Sequence, residues 1–96
     1  MSKYYFVANI NNNVKNGILE DLEIKENMKN IIENENGRSL ESHVTDGSNI
    51  TNISIVESYV LNIITMIVEW DHENEYIKKA IAELQELDCN IVSYNY

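Results

Sequence analysis

The chain has no proline, one cysteine, three glycines and only seven basic residues against sixteen acidic ones in 96 residues. The lone Cys89 excludes an internal disulfide and a thiolate metal cluster, and agrees with a reducing compartment. The scarcity of Lys and Arg removes the usual basis of nucleic-acid binding, because displacing phosphate counterions takes a face of cations. At a net charge of −9 the chain repels polyanions and is steered toward basic surfaces instead. No apolar run approaches the roughly 20 nearly uninterrupted residues of a membrane span; the longest is broken by Glu57, Asn62 and Glu69. No basic segment precedes an apolar stretch at the N-terminus, so a secretory leader is not expected. The expectation is a cytoplasmic protein with no membrane contact and no direct nucleic-acid contact.

What is present fits one domain. At this length folding buries roughly 60 to 70% of the surface of the unfolded chain, and 44% hydrophobic residues suffice for a modest core. Fifteen residues are Asn and fourteen Ile, the bias of an AT-rich coding background such as that of many phages.

The chain is organised around residues 49–70, which hold no Gly, Pro or basic residue. Nine of the eighteen residues from Ile53 to Trp70 are β-branched, which disfavours helix and suits a pleated sheet. A helix over Val56–Trp70 is the competing reading, because Ser58, Asn62, Thr65 and Glu69 then cluster on one side. Strands are preferred, and they require a turn near Tyr59–Asn62 although no Gly or Pro marks one.

Elsewhere, Lys3–Ile10 alternates as a strand with Tyr4, Phe6, Ala8 and Ile10 on one face. Residues 11–17 read as an Asn-rich loop. A helix is expected from Leu22–Lys25 to Asn36, with Met28, Ile31 and Ile32 on one face and Gly37 as its C-terminal stop. Thr45-Asp46-Gly47-Ser48 is a turn signal joining Ser39–Val44 to Ile50–Glu57 as a hairpin. Asp71 is the expected N-cap of a helix whose apolar stripe is Tyr76, Ile77, Ala80, Ile81, Leu84 and Leu87 and which pairs Glu75 with Lys79. Ile91–Tyr96 is a last strand.

Assembled, these elements predict an α+β, ferredoxin-like split βαβ sandwich: an antiparallel sheet of four to five strands with two helices on one face. The strand-helix-strand at the C-terminus implies a crossover between parallel strands. The run from Asn62 to Tyr96 resembles the second half of small ferredoxin-like modules such as ACT and NIL domains. That resemblance implies a dimeric ligand-binding or regulatory module, associating through a sheet face or edge. The first half departs from it, since the loop after the first strand lacks the glycine-led turn that makes an ACT ligand site.

No motif announces catalysis. His43 and His72 are isolated, Cys89 has no basic neighbour to activate it, and no elbow presents a serine. Glu69, Asp71, His72, Glu73 and Glu75 are the only dense oxygen-ligand cluster, and a helix cap with dipole-complementing acids accounts for it without a metal. The span Glu57–Glu75 carries five acids and no base, and six tyrosines, among them Tyr4, Tyr94 and Tyr96, supply interface-prone rings. Charge and tyrosine content together predict a non-enzymatic, cofactor-free protein that binds a basic partner such as a nuclease, a CRISPR effector or a toxin, in the manner of phage inhibitors and immunity proteins. The expected contact residues are Glu69, Asp71, Glu73 and Glu75, with Glu20, Asp21 and Glu23 as a second patch.

Overall fold

The computed structural model describes residues 3–96. It is an α+β domain in which one six-stranded antiparallel sheet carries three helices. The elements are β1 (Tyr4–Ile10), α1 (Asn12–Glu20), α2 (Leu22–Asn27), β2 (Lys29–Asn34), β3 (Gly37–Asp46), β4 (Asn49–Ser58), β5 (Ile63–Trp70), α3 (Glu75–Glu86) and β6 (Asn90–Asn95). The strand order is β2-β3-β4-β5-β1-β6. Both β5 and β6 run antiparallel to β1, which lies between them, so the two strands joined by α3 are parallel to each other.

Period-2 alternation sets the core. Phe6, Ala8 and Ile10 of β1 meet Val68, Met66 and Ile64 of β5, and Ile55 of β4 faces Met66 and Leu40 on its two sides. All are buried. With Trp70, Ile81, Leu84 and Cys89 they form a single cluster on the face that the helices cover. Burying side chains such as Phe6 and Ile55 contributes about 1.5 to 3 kcal/mol each relative to leaving them in water. The opposite face has no helix over it, and Tyr5, Val56 and Ile63 on it are exposed.

The central stretch is two strands, as its β-branched content indicates. Its turn at Tyr59–Asn62 is made without Gly or Pro: Asn62 takes φ +53°, which Asn tolerates better than other side chains, and Ser58 Oγ accepts the Leu61 N–H at 3.1 Å. The hairpin of β3 and β4 turns at Gly47, φ +63°. Tyr4, Tyr94 and Tyr96 do share a face, grouped around Trp70: Tyr4 stacks on it at 5.8 Å, Tyr96 lies at 6.4 Å, and Tyr94 is 4.8 Å from Tyr96.

Several expectations are corrected. The sheet has six strands rather than four or five, and three helices rather than two. Residues 11–17 are not a loop. Asn11 accepts the Val14 N–H at 2.9 Å as N-cap, and Val14, Ile18 and Leu19 pack on the core, so capping and burial outweigh the turn propensity of Asn16-Gly17. The helix expected to reach Asn36 ends at Asn27, and Ile31 and Ile32 lie in the edge strand β2. Pairing with β3 decides that segment, because two adjacent isoleucines have higher strand than helix preference.

Helix α3 also starts later and buries less than expected. Its N-cap is Asn74, accepting the Tyr76 N–H at 2.9 Å, rather than Asp71. Tyr76 and Leu87 are exposed, which leaves Ile77, Ile81 and Leu84 as its inner face, and Glu75 meets Lys78 at 3.5 Å rather than Lys79. The helix ends in a Schellman arrangement, in which the Cys89 N–H donates to the Leu84 carbonyl at 3.0 Å and Asp88 adopts φ +60°. A left-handed aspartate costs roughly 1 kcal/mol relative to glycine. Asp88→Gly is therefore expected to raise Tm by about 4 to 8 °C in thermal unfolding followed by circular dichroism; an unchanged or lower Tm would contradict this account of the cap.

Candidate functional site

The strands bring two sets of loops to opposite ends of the sheet. At one end the β3–β4 turn, the start of α2 and the β5–α3 junction converge on a shallow cleft of about 300 Å³. Glu23, Asp46, His72 and Asn74 line it together with Val44, Thr45, Asn49 and Thr51. Glu23 belongs to one of the expected acidic patches, and His72 and Asn74 flank Glu73 of the other, so the fold joins patches about fifty positions apart in the chain. No lysine or arginine lines this cleft.

The individual carboxylates here have different duties. Asp71 accepts from the Nδ1–H of His72 at 3.0 Å and from the Ile50 N–H at 3.2 Å. These two donors, His72 foremost, hold its carboxyl below the usual aspartate range and tie the start of β4 to the end of β5. Asn74 Nδ2 lies 3.3 Å from His72 Nε2. Asp21 caps α2 through the Glu23 and Ile24 N–H groups. Glu73 accepts the Tyr4 hydroxyl at 3.2 Å, and Lys3 sits over the Tyr4 ring at 5.1 Å. Glu75 is exposed beside Lys78. The Glu20, Glu23 and Glu69 carboxylates accept no hydrogen bond from a described side chain, although the Glu23 carbonyl accepts from Asn27 Nδ2 at 2.8 Å. Asp46 lines the same cleft as His72, which its local turn signal does not indicate.

The other end of the sheet carries an open cleft of about 460 Å³, rich in asparagine: Asn9, Asn11, Asn12 and Asn62 line it with Glu57 and Ser58. Beside it the β4–β5 turn exposes Tyr59, Val60 and Leu61. Beneath lies the chain's principal buried ion cluster. Lys15 Nζ of α1 and Arg38 Nε of β3 reach the two carboxylate oxygens of Glu57 on β4, at 2.9 and 2.8 Å. The Lys15 ammonium holds the Glu57 carboxyl below the usual range, against burial that pushes it up, and Arg38 adds to the lowering. Nothing in the sequence marked this cluster, because its members are 42 and 19 positions apart and a lysine in an Asn-rich segment looks like surface. It consumes two of the seven bases, so outside it fifteen acids stand against five lysines.

Catalytic chemistry finds no assembled constellation among the described residues. His43 contacts Asn52 and Glu41 on the face away from His72, and Cys89 is buried with only its Sγ–H near the Leu87 carbonyl at 3.8 Å. No group of three or more His, Cys, Asp or Glu side chains among the described residues is disposed to hold a metal ion. No helix among the described residues is long and apolar enough to cross a membrane. Comparison of the chain with known protein families, with curated proteins and with solved structures gives no match.

Proposed function

We propose that the chain is a non-enzymatic acidic protein that binds and blocks a basic, nucleic-acid-handling protein through the end of the sheet where Glu23 and Asp46 line a cleft beside the β5–α3 junction, with Glu20, Glu69 and Glu73 as further contacts. The observation that carries this reading is the base-free cleft shared by Glu23 and Asp46 with the β5–α3 junction. Carboxylates there can occupy a cationic groove that otherwise takes phosphate, and the net charge accelerates encounter in a salt-sensitive way. Sequestering Lys15 and Arg38 on Glu57 supports the same reading, since it strips the surface of two cations. Asp21 and Asp71 act here as struts that shape the site, rather than as contacts.

We further read the fold as a ferredoxin-like unit with an added hairpin. The elements β1, α1, β4, β5, α3 and β6 follow the split βαβ order, with strands arranged β4-β5-β1-β6. On this reading β2 and β3 are an insertion extending the sheet beyond β4.

Affinity capture tests the function. Immobilised chain is expected to retain a basic nuclease, effector or toxin from host lysate at low salt and to release it at high salt, whereas Glu20→Lys/Glu23→Lys/Glu69→Lys retains none. Capture of nothing basic, or capture indifferent to ionic strength, would sink the proposal. A rise in Tm with amino acids or nucleotides, in place of such capture, would transfer the function to small-ligand binding in the asparagine-lined cleft.

A further inference from the structure

The rings grouped around Trp70 form a shelf at the same end of the sheet as the acidic cleft. Trp70 joins the two, since it pairs with Thr51 of the cleft wall on one side and with Tyr4 on the other. Strand β6 is an edge of the sheet, and the register of Phe6 with Tyr94 turns Tyr94 and Tyr96 to the face that carries the helices. These two rings are 4.8 Å apart and inclined by 40°, with Tyr96 against Trp70 at 6.4 Å. Trp70 is buried beneath them, whereas Tyr94 is 62% exposed and Tyr96 48%. Packing on Trp70 holds the outer rings in place without covering them.

Chemistry identifies the occupant. The face of an aromatic ring is its negative pole and attracts a cation placed within about 6 Å of the centroid. The chain already uses one ring of the shelf in this way: Lys3 Nζ stands 5.1 Å from the centroid of Tyr4, whose hydroxyl donates to Glu73 at 3.2 Å. Among the described residues no cation lies over Tyr94 or Tyr96. Glu73 is exposed at the border of the shelf, and the net charge of −9 favours a cation there over an anion. The shelf is an open ledge, which suits a planar guanidinium laid against a ring better than a compact, strongly hydrated ammonium.

We infer that Tyr94 and Tyr96 form a stacking site for an arginine side chain of the basic partner, next to the carboxylates that draw that partner in. The inference deepens the reading of the acidic end and rests on it. Charge governs the encounter, and the rings select arginine over lysine once contact is made.

Isothermal titration at low salt with nona-arginine and nona-lysine peptides tests it, with circular dichroism to verify folding. The wild type is expected to bind both and to prefer nona-arginine about fivefold. Tyr94→Leu/Tyr96→Leu, which keeps apolar bulk but removes the rings, is expected to weaken nona-arginine binding about fivefold and to leave nona-lysine binding nearly unchanged, so that the preference disappears. Tyr94→Phe/Tyr96→Phe is expected to retain the preference, because the ring and not the hydroxyl makes the contact. Tyr59→Leu, at the opposite end of the sheet, is expected to retain it too. Should the double leucine variant fail to fold, Tyr94→Leu alone provides the same measurement. Equal binding of the two peptides by the wild type, a preference that survives loss of the rings, or one that the phenylalanine variant or Tyr59→Leu also abolishes would overturn the arginine site and leave the acidic end standing. A wild type that binds neither peptide would overturn both.

Discussion

Gly37→Ala is expected to lower Tm by about 12 to 24 °C. Gly37 is buried where β3 begins, paired with Asn34 on one side and Ser58 on the other. A Cβ built there lies 2.1 Å from the Glu57 carbonyl oxygen and 3.2 Å from its carbon. Those atoms belong to the backbone of β4 and cannot swing away as a side-chain tip would. The two strands must separate by more than an ångström, at a cost of about 3 kcal/mol, the upper part of the range for overpacking, and each kcal/mol is worth roughly 4 to 8 °C in a domain of this size. Gly17→Ala supplies the contrast. Nothing lies within 4 Å of its added Cβ, and the residue is inside α1, so the substitution is expected to stabilise by about 1 kcal/mol through better helix propensity. Thermal unfolding of the two variants by circular dichroism reads both signs; similar small shifts for the pair would refute the close approach at Gly37.

The second large effect belongs to Glu57. Replacing it by Gln keeps the size of the side chain but leaves Lys15 and Arg38 confined without their counter-charge. Breaking a fully buried pair costs roughly 3 to 5 kcal/mol; here the Glu57 side chain is 14% exposed and that of Arg38 26%, so water recovers part of the loss and about 2 kcal/mol is expected. The contribution has a defined pH dependence. The folded-state pKa of Glu57 lies below its ordinary value of 4.5, so the folded protein holds its proton less tightly than the unfolded chain does. The stabilisation is therefore complete above the unfolded pKa and is lost as pH falls through the folded one. The gap in Tm between wild type and Glu57→Gln should be full above about pH 5.5 and close progressively in acid. Every other carboxylate titrates in both proteins, so the difference isolates Glu57. A gap that persists unchanged in acid would show that the ion cluster is not its source.

The elements that could be read in advance share a physical property. β1, the two strands in residues 49–70, the turn at Gly47, α3 and β6 each announce themselves within their own few residues, by alternation, β-branching or a stripe of apolar positions. The misread stretch from Asn11 to Gly37 does not. There the polar Asn-rich composition hides α1, whose stability comes from Asn11 capping and from Val14, Ile18 and Leu19 meeting the core. Ile31 and Ile32 satisfy either a helix face or an edge strand, and only the presence of β3 alongside decides between them. Gly37 reads equally well as a helix stop, but the passage of β4 is what requires it to lack a side chain.

The acidic site divides in the same way. That carboxylates abound at Glu20–Glu23 and Glu69–Glu75 follows from the sequence alone, because net charge is a sum over residues and is independent of fold. Which of them are free is a tertiary matter. Asp71 is engaged because β4 brings the Ile50 N–H to it, and Asp21 because the chain turns into α2 there. Asp46 joins the site, and Lys15 and Arg38 leave the surface, through contacts between elements distant in sequence. The sequence by itself determined the sheet-rich core and the sign of the surface charge, since both arise from local pattern and composition. Only the tertiary structure decided where the charge is concentrated, which bases are spent on Glu57 and which sheet face lies bare, because those depend on strand order and register, which no segment carries alone.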